Sequence, residues 1–257
     1  GKLDSTGKYA SVETFGSNRT EAIYTVELAS GDRRDVALLE PRERTSWILA
    51  APGGEGALVK IKQGPCLLLA SGRRIDLPGF RRARWVETPD GTRILGQIED
   101  KAALFDTDGS RGSGRLTLRG AMVAAFADGG EEMVVLDKDG HDCRLLRVDA
   151  SSLAVRSQQV MPECLTSPQL LDDGRLLGIA RASMEGDAPG DREVVLWDPR
   201  TDQLTPLSSG YFEEETVYAS PDGQRAIFNR RIEDWPAEYD TRTYRRQVCW
   251  MDIPPAP

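Results

Sequence analysis

Short apolar or β-branched runs, each stopped by a turn signal, recur along the whole chain. Ile23–Leu28, Ile94–Ile98, Leu145–Val148, Leu176–Ala180, Val194–Trp197 and Ala226–Phe228 are examples. Runs of roughly four to eight such residues bounded by Asp-Gly or Gly-Gly predict hairpin strands. Asp-Gly supplies the positive φ angles that tight hairpins need. No long window sustains an apolar period near 3.6, so the pattern predicts few helices.

The runs belong to a larger repeat. Arg84-Trp85-Val86-Glu87-Thr88-Pro89-Asp90-Gly91 and Val217-Tyr218-Ala219-Ser220-Pro221-Asp222-Gly223 share an aromatic, a short link and Pro-Asp-Gly. Degraded copies stand at Phe126–Gly130, Leu170–Gly174, Trp47–Gly54 and Asp4–Gly7. Gly7, Gly56, Gly91, Gly130, Gly174 and Gly223, read as the turn glycines, are 35 to 49 residues apart. That interval fits a four-stranded propeller blade of about 40–50 residues. A single blade leaves a face uncovered, and radial stacking buries it. The expectation is an all-β fold, a β-propeller of about six four-stranded blades (five or seven being the alternatives), with residues 1–257 as one domain.

With strands labelled a to d outward from the axis, residues 1–39 supply b, c and d of the first unit. Residues 213–253 supply a, b and c of the last. Both terminal blades are therefore expected to be incomplete. An upstream segment of roughly 15–25 residues would supply both missing strands, which makes the chain part of a longer one. A strand added by a partner, or strands misassigned in poorly patterned stretches, are the alternatives.

The aromatic-Ser-Pro-Asp-Gly turn, the strand ending in Trp197-Asp198 and the following Leu204-Thr205 resemble the bacterial PD40, or WD40-like, propeller repeat of TolB-like proteins. Residues 165–230 carry the resemblance best, 81–109 well, and 1–80 in outline. The resemblance implies a framework rather than a chemistry. TolB-like members act in protein–protein contacts at the cell envelope, and other members accompany a peptidase domain.

The remaining composition narrows the function. A net charge of −8 opposes binding to nucleic acid or anionic lipid. Purely apolar runs such as Cys66–Ala70 are far short of the roughly 20 residues a membrane helix needs, so neither membrane insertion nor a nucleic-acid partner is expected. Cys66, Cys143, Cys164 and Cys249 form no C-x-x-C pair, which argues against a zinc ribbon. Cys66 and Cys249 lie in apolar runs. Cys143 and Cys164 flank one expected strand pair, and a bridge between them is an open alternative that needs an oxidising compartment.

Catalytic signals are sparse. The one histidine, His141, sits in an expected hairpin turn, and no G-x-S-x-G elbow accompanies it. Asp137–Asp142 and Asp106–Gly109 look like calcium loops but lack the EF-hand spacing, so they read as Asp-Gly hairpins. Asn18-Arg19-Thr20 matches a glycosylation sequon, a triplet common by chance. Neither a catalytic residue nor a cofactor or metal ligand is assigned.

The loops say more. Residues 182–192 and 230–246 read as long insertions in b–c connections, and the second carries aromatics among charges. Aromatic and arginine side chains on a rigid scaffold make binding hot spots. Trp235, Tyr239, Tyr244, Arg242, Arg245 and Arg246 are therefore the candidate partner-binding residues. Glu213–Glu215 and the cluster of Arg81, Arg82 and Arg84 read as solvated loop charge. The sequence thus points to a non-catalytic protein–protein interaction scaffold, placed by the TolB-like resemblance at the cell envelope. A propeller domain of a larger peptidase-like enzyme and a small-ligand or metal-binding propeller are the alternatives.

Overall fold

The computed structural model describes residues 2–3, 8–15, 21–38, 45–62, 66–70, 73–127, 129–181, 192–208, 213–220, 222–234 and 243–256. Among the described residues every regular element is a strand, and the strands fall into six consecutive antiparallel sheets. The first holds β1 (Lys2–Leu3), β2 (Tyr9–Phe15), β3 (Glu21–Glu27) and β4 (Arg33–Leu38). The second holds β5 (Thr45–Ala50), β6 (Gly56–Ile61), β7 (Cys66–Ala70) and β8 (Arg73–Leu77). The third holds β9 (Phe80–Thr88), β10 (Gly91–Ile98), β11 (Lys101–Phe105) and β12 (Arg111–Thr117). The fourth holds β13 (Ala121–Ala127), β14 (Glu132–Asp139), β15 (Asp142–Asp149) and β16 (Val155–Val160). The fifth holds β17 (Thr166–Leu170), β18 (Leu176–Ala180), β19 (Glu193–Asp198) and β20 (Gln203–Pro206). The sixth holds β21 (Glu213–Ala219), β22 (Arg225–Asp234) and β23 (Thr243–Asp252). Each sheet is a simple meander in chain order. The architecture is that of a six-bladed β-propeller.

The repeat extends to detail. In five of the sheets the first ladder slips register, at Thr45/Trp47, Gln97/Ile98, Met122/Ala124, Thr166/Gln169 and Glu214/Thr216. A bulge at that place adds twist to the first pair of strands. The turn between first and second strands repeats as well. Gly54, Gly174 and Gly223 donate their amides back to Ala51, Leu171 and Ser220 at 2.8–2.9 Å. In the last two turns an aspartate, Asp173 or Asp222, accepts from the amide two residues on. This local bond is why Asp precedes Gly there.

Two of the expected turn glycines are displaced. Gly56 begins β6, and the positive φ belongs to Gly53 and Gly54; in the fourth sheet it belongs to Gly129 rather than Gly130. The first sheet also has the strand thought missing. β1 is only Lys2–Leu3, paired with Ser11 and Ala10, too short for periodicity to reveal. The sixth sheet has three strands among the described residues, as expected.

The chain forms two compact units. One comprises residues 1–139 and 145–158, the other 140–144 and 159–257. In the first, apolar side chains fill the space between successive sheets. Ile23 meets Ile48, Val59 and Leu69; Leu58, Phe80, Trp85 and Phe105 join the second and third sheets; Val86, Leu116, Met122 and Val135 join the third and fourth. Polar staples add to this. The buried Gln97 amide donates to Gly120 at 2.6 Å and accepts from the Met122 amide at 2.9 Å. In the second unit, Leu177, Ile179, Val194 and Leu196 pack on Val217, Ala226, Phe228 and Ile253. Trp197 is wholly buried and donates from its indole to Asp202 at 3.1 Å. A disulfide joins Cys143 to Cys164 in this unit, and Cys66 and Cys249 are free.

Candidate functional site

The sixth sheet differs from the others in what it leaves uncovered. Side chains alternate across a strand, so β21–β23 have two faces. Val217, Ala226 and Phe228 are buried against the fifth sheet, with Cys249 and Met251 packed beside them. The opposite face carries Tyr218, Ile227 and Trp250, which lie in one cross-strand row. All three are exposed, and Val248, two residues from Trp250 on the same face, is 72% exposed. The neighbouring row is Thr216, Asn229 and Val248, in which the Asn229 amide donates to the Thr216 hydroxyl at 3.0 Å. Arg225 closes the other side, with its guanidinium 5.2 Å from the Trp250 ring centre and 3.6 Å from Asp252.

This face joins a strand edge. β23 ends the order of its sheet, and among the described residues no strand pairs along its outer side. The surface thus combines exposed aromatics and an arginine on a sheet with a strand edge that no described strand covers, the residue types that are enriched at interface hot spots.

The residues singled out from sequence fall in three groups. Trp235, Tyr239 and Arg242 lie outside the described residues, as does most of the 182–192 insertion. Tyr244 and Arg245 lie in β23, across from Glu233 and Ile232. Arg246 is exposed, opposite Arg231, and forms an ion pair with Glu215 at 2.7 Å. The 230–246 segment is thus not simply a loop, because both its ends extend the β22–β23 ladder. Its density of charge hid the strands, since edge strands tolerate charge on their solvent side.

The acidic run likewise lies within β21. The Glu214 side chain is 2% exposed and pairs with Arg230 at 2.9 Å. Burial raises its carboxyl above the ordinary range, and Arg230 offsets part of that rise. Arg84 sits on the first strand of its sheet, donating to the carbonyls of Ala83 and Val123. Burial, with Arg82 nearby, pushes its guanidinium down to about 10. His141 is exposed in its turn, and Gly140 and Gly109 take positive φ in the two Asp-Gly hairpins. The described residues contain no metal-ligand group of three. Among them no helix is long and apolar enough to cross a membrane.

The row of Tyr218, Ile227, Val248 and Trp250 escaped the sequence reading. A signal was present. Val248-Cys249-Trp250-Met251 is apolar at every position, and an outer strand that is apolar on both faces must expose one.

No protein-family model and no curated protein matches the chain. Solved structures do. The hydrazine synthase of Kuenenia stuttgartiensis aligns with TM-score 0.61 at 11% identity, over 90% of this chain and 75% of that one. The β-propeller domain of the Trilobed protease from Pyrococcus furiosus aligns at 0.60 and 11%, over 98% and 82%. TolB from Acinetobacter baumannii aligns at 0.54 and 12%, over 96% and 67%. At such identities the likeness is one of fold, and the fold is the propeller.

Proposed function

We propose that this chain is a non-catalytic propeller of the TolB-like, PD40 kind that works as a protein–protein interaction scaffold, with the outer face of the sixth sheet as its contact surface. The carrying observation is the exposed Tyr218–Ile227–Trp250 row beside the open edge of β23. Large aromatics cost little entropy to order and dominate interface energetics. Tyr244 and Arg246 are at even positions of the same strand, in phase with Val248 and Trp250, and are proposed as part of this surface, whereas Arg245 is in phase with Cys249 on the other face. Trp235, Tyr239 and Arg242 are proposed as additional contacts from the connection between β22 and β23.

The Cys143–Cys164 bridge supports an extracytoplasmic location, because such bonds persist in oxidising compartments. A second reading, a propeller domain within a larger peptidase, draws on the likeness to the Trilobed protease domain. The scaffold reading is preferred because it uses a surface that the described residues build.

The test is affinity capture from the source organism with the wild-type chain and with an Ile227→Asp/Trp250→Ala variant. The scaffold reading expects defined partners held by the wild type and lost by the folded variant. Identical partners on both, or none on the wild type, defeat it.

A further inference from the structure

We propose that the outer edge of β23, which no described strand covers, pairs antiparallel with β23 of a second copy of this chain, centred on Cys249. The inference stands on strand register and does not rest on the scaffold reading. A monomer that still captures another protein would overturn this proposal and leave that one intact.

The first argument is the direction of the backbone groups. The Ile253 amide donates to the Gln224 carbonyl at 2.7 Å, and the ladder continues as Met251 with Ala226 and Cys249 with Phe228. Hydrogen-bonding direction alternates along an antiparallel strand. The odd-numbered residues 247 to 253 therefore turn their N–H and C=O groups to β22. Arg246, Val248, Trp250 and Asp252 turn theirs to the open edge. Pro254 and Pro255 follow, and a proline has no N–H to offer, so the run of open donors stops at Asp252.

The second argument is complementarity. When two copies of β23 pair about Cys249, Arg246 of one lies across from Asp252 of the other, and Val248 lies across from Trp250. Both pairs occur twice, as a two-fold axis requires. Opposite charges and apolar–aromatic pairs are the favourable cross-strand combinations. Sliding the register by one pair in either direction sets Arg246 across from Trp250 or Pro254 and loses the ion pairs. All four side chains lie on the outer face and are exposed. These pairs join the ones that Arg246 makes with Glu215 and Asp252 with Arg225, and the charge pattern of β23 is complementary to itself, which favours a second copy over an arbitrary strand.

The third feature gives a probe. The two Cys249 residues meet at a non-hydrogen-bonded position, where Cα atoms lie about 4.5 Å apart, within the span a disulfide bridges. Cys249 is a free thiol and only half-buried.

The experiment is light scattering of the 257-residue chain over a dilution series, with cross-linking by an added thiol oxidant. The expected result is a dimer that dissociates on dilution and is trapped by oxidation. Cys249→Ser abolishes the trapping but not the dimer. Arg246→Asp and Asp252→Arg each weaken the dimer by about tenfold or more. An equimolar mixture of those two variants restores it, because each then faces its opposite charge. The mixture also separates a lost interface from a misfolded chain. A monomer at every concentration, a dimer indifferent to both charge changes, or failure of the mixture to pair overturns the proposal.

Discussion

Trp250 lies directly across from Ile227 in the β22–β23 ladder, and both face away from the packed side of the sheet. One residue further along each strand, Phe228 and Cys249 form the next pair on the buried side. The two faces of the same two strands should respond differently to truncation. Trp250→Ala is expected to change folding stability by no more than about 0.5 kcal/mol, as surface substitutions usually do. Phe228→Ala, at a residue 3% exposed, should cost about 3–5 kcal/mol. Urea unfolding of the two variants measures both.

The Cys143–Cys164 bridge closes a loop with a sequence separation of 21. A cross-link of that span restricts the unfolded chain by about 3 kcal/mol. Reduction, or Cys143→Ser, should lower the melting temperature by an amount consistent with that loss. Equal melting in reduced and oxidised samples would show that the bridge does not form in solution.

Asp149 holds the turn after β15. Its carboxylate accepts from the amides and hydroxyls of Ser151 and Ser152 and from Arg156 at 2.7 Å. The Ser151 bond, then Ser152 and Arg156, holds its pKa well below the usual carboxylate range. A depressed folded pKa means that the unfolded chain binds the proton more readily. The stabilisation from Asp149 is therefore full above the unfolded value of about 3.9 and fades as pH falls through the lower folded value. Wild type should be more stable than Asp149→Ala at neutral pH, and the gap should close in strong acid. A gap independent of pH would show that the carboxylate charge is not what matters.

Gly96 lies beneath an aromatic ring. A Cβ added there would overlap the edge of the Phe80 ring, which packs against Phe105 at 4.7 Å between ring centres. Phe80 is itself buried, so Gly96→Ala should cost about 1–3 kcal/mol through overpacking. A combined Gly96→Ala/Phe80→Leu variant should recover part of that loss in the same unfolding assay.

The propeller was legible because its blades repeat. The turn at Pro221-Asp222-Gly223 and the strand ending in Trp197-Asp198 both report local physics, a positive φ and a buried aromatic, that a single sequence displays. β1 was not legible, since two residues carry no period. The extensions of β22 and β23 were hidden by Arg230, Arg231, Arg245 and Arg246, whose charge made 230–246 read as a connection although Glu214 and Glu215 partner two of them. The outer face of the sixth sheet was hidden for another reason. Apolar patterning marks positions that avoid water, and it cannot separate Met251, packed on the core cluster, from Trp250, 64% exposed. Only the sheet register assigns the two to opposite faces.

Site-specific photo-cross-linking in the source organism tests the scaffold reading most directly. A photoreactive residue at position 250 reports what covers the outer face, and one at position 155, an exposed valine on β16 of the fourth sheet, serves as the reference. The account predicts a discrete protein adduct from position 250 and none from 155, with the mass distinguishing a second copy from a different partner. Equal labelling from both positions, or no adduct from 250, would contradict it.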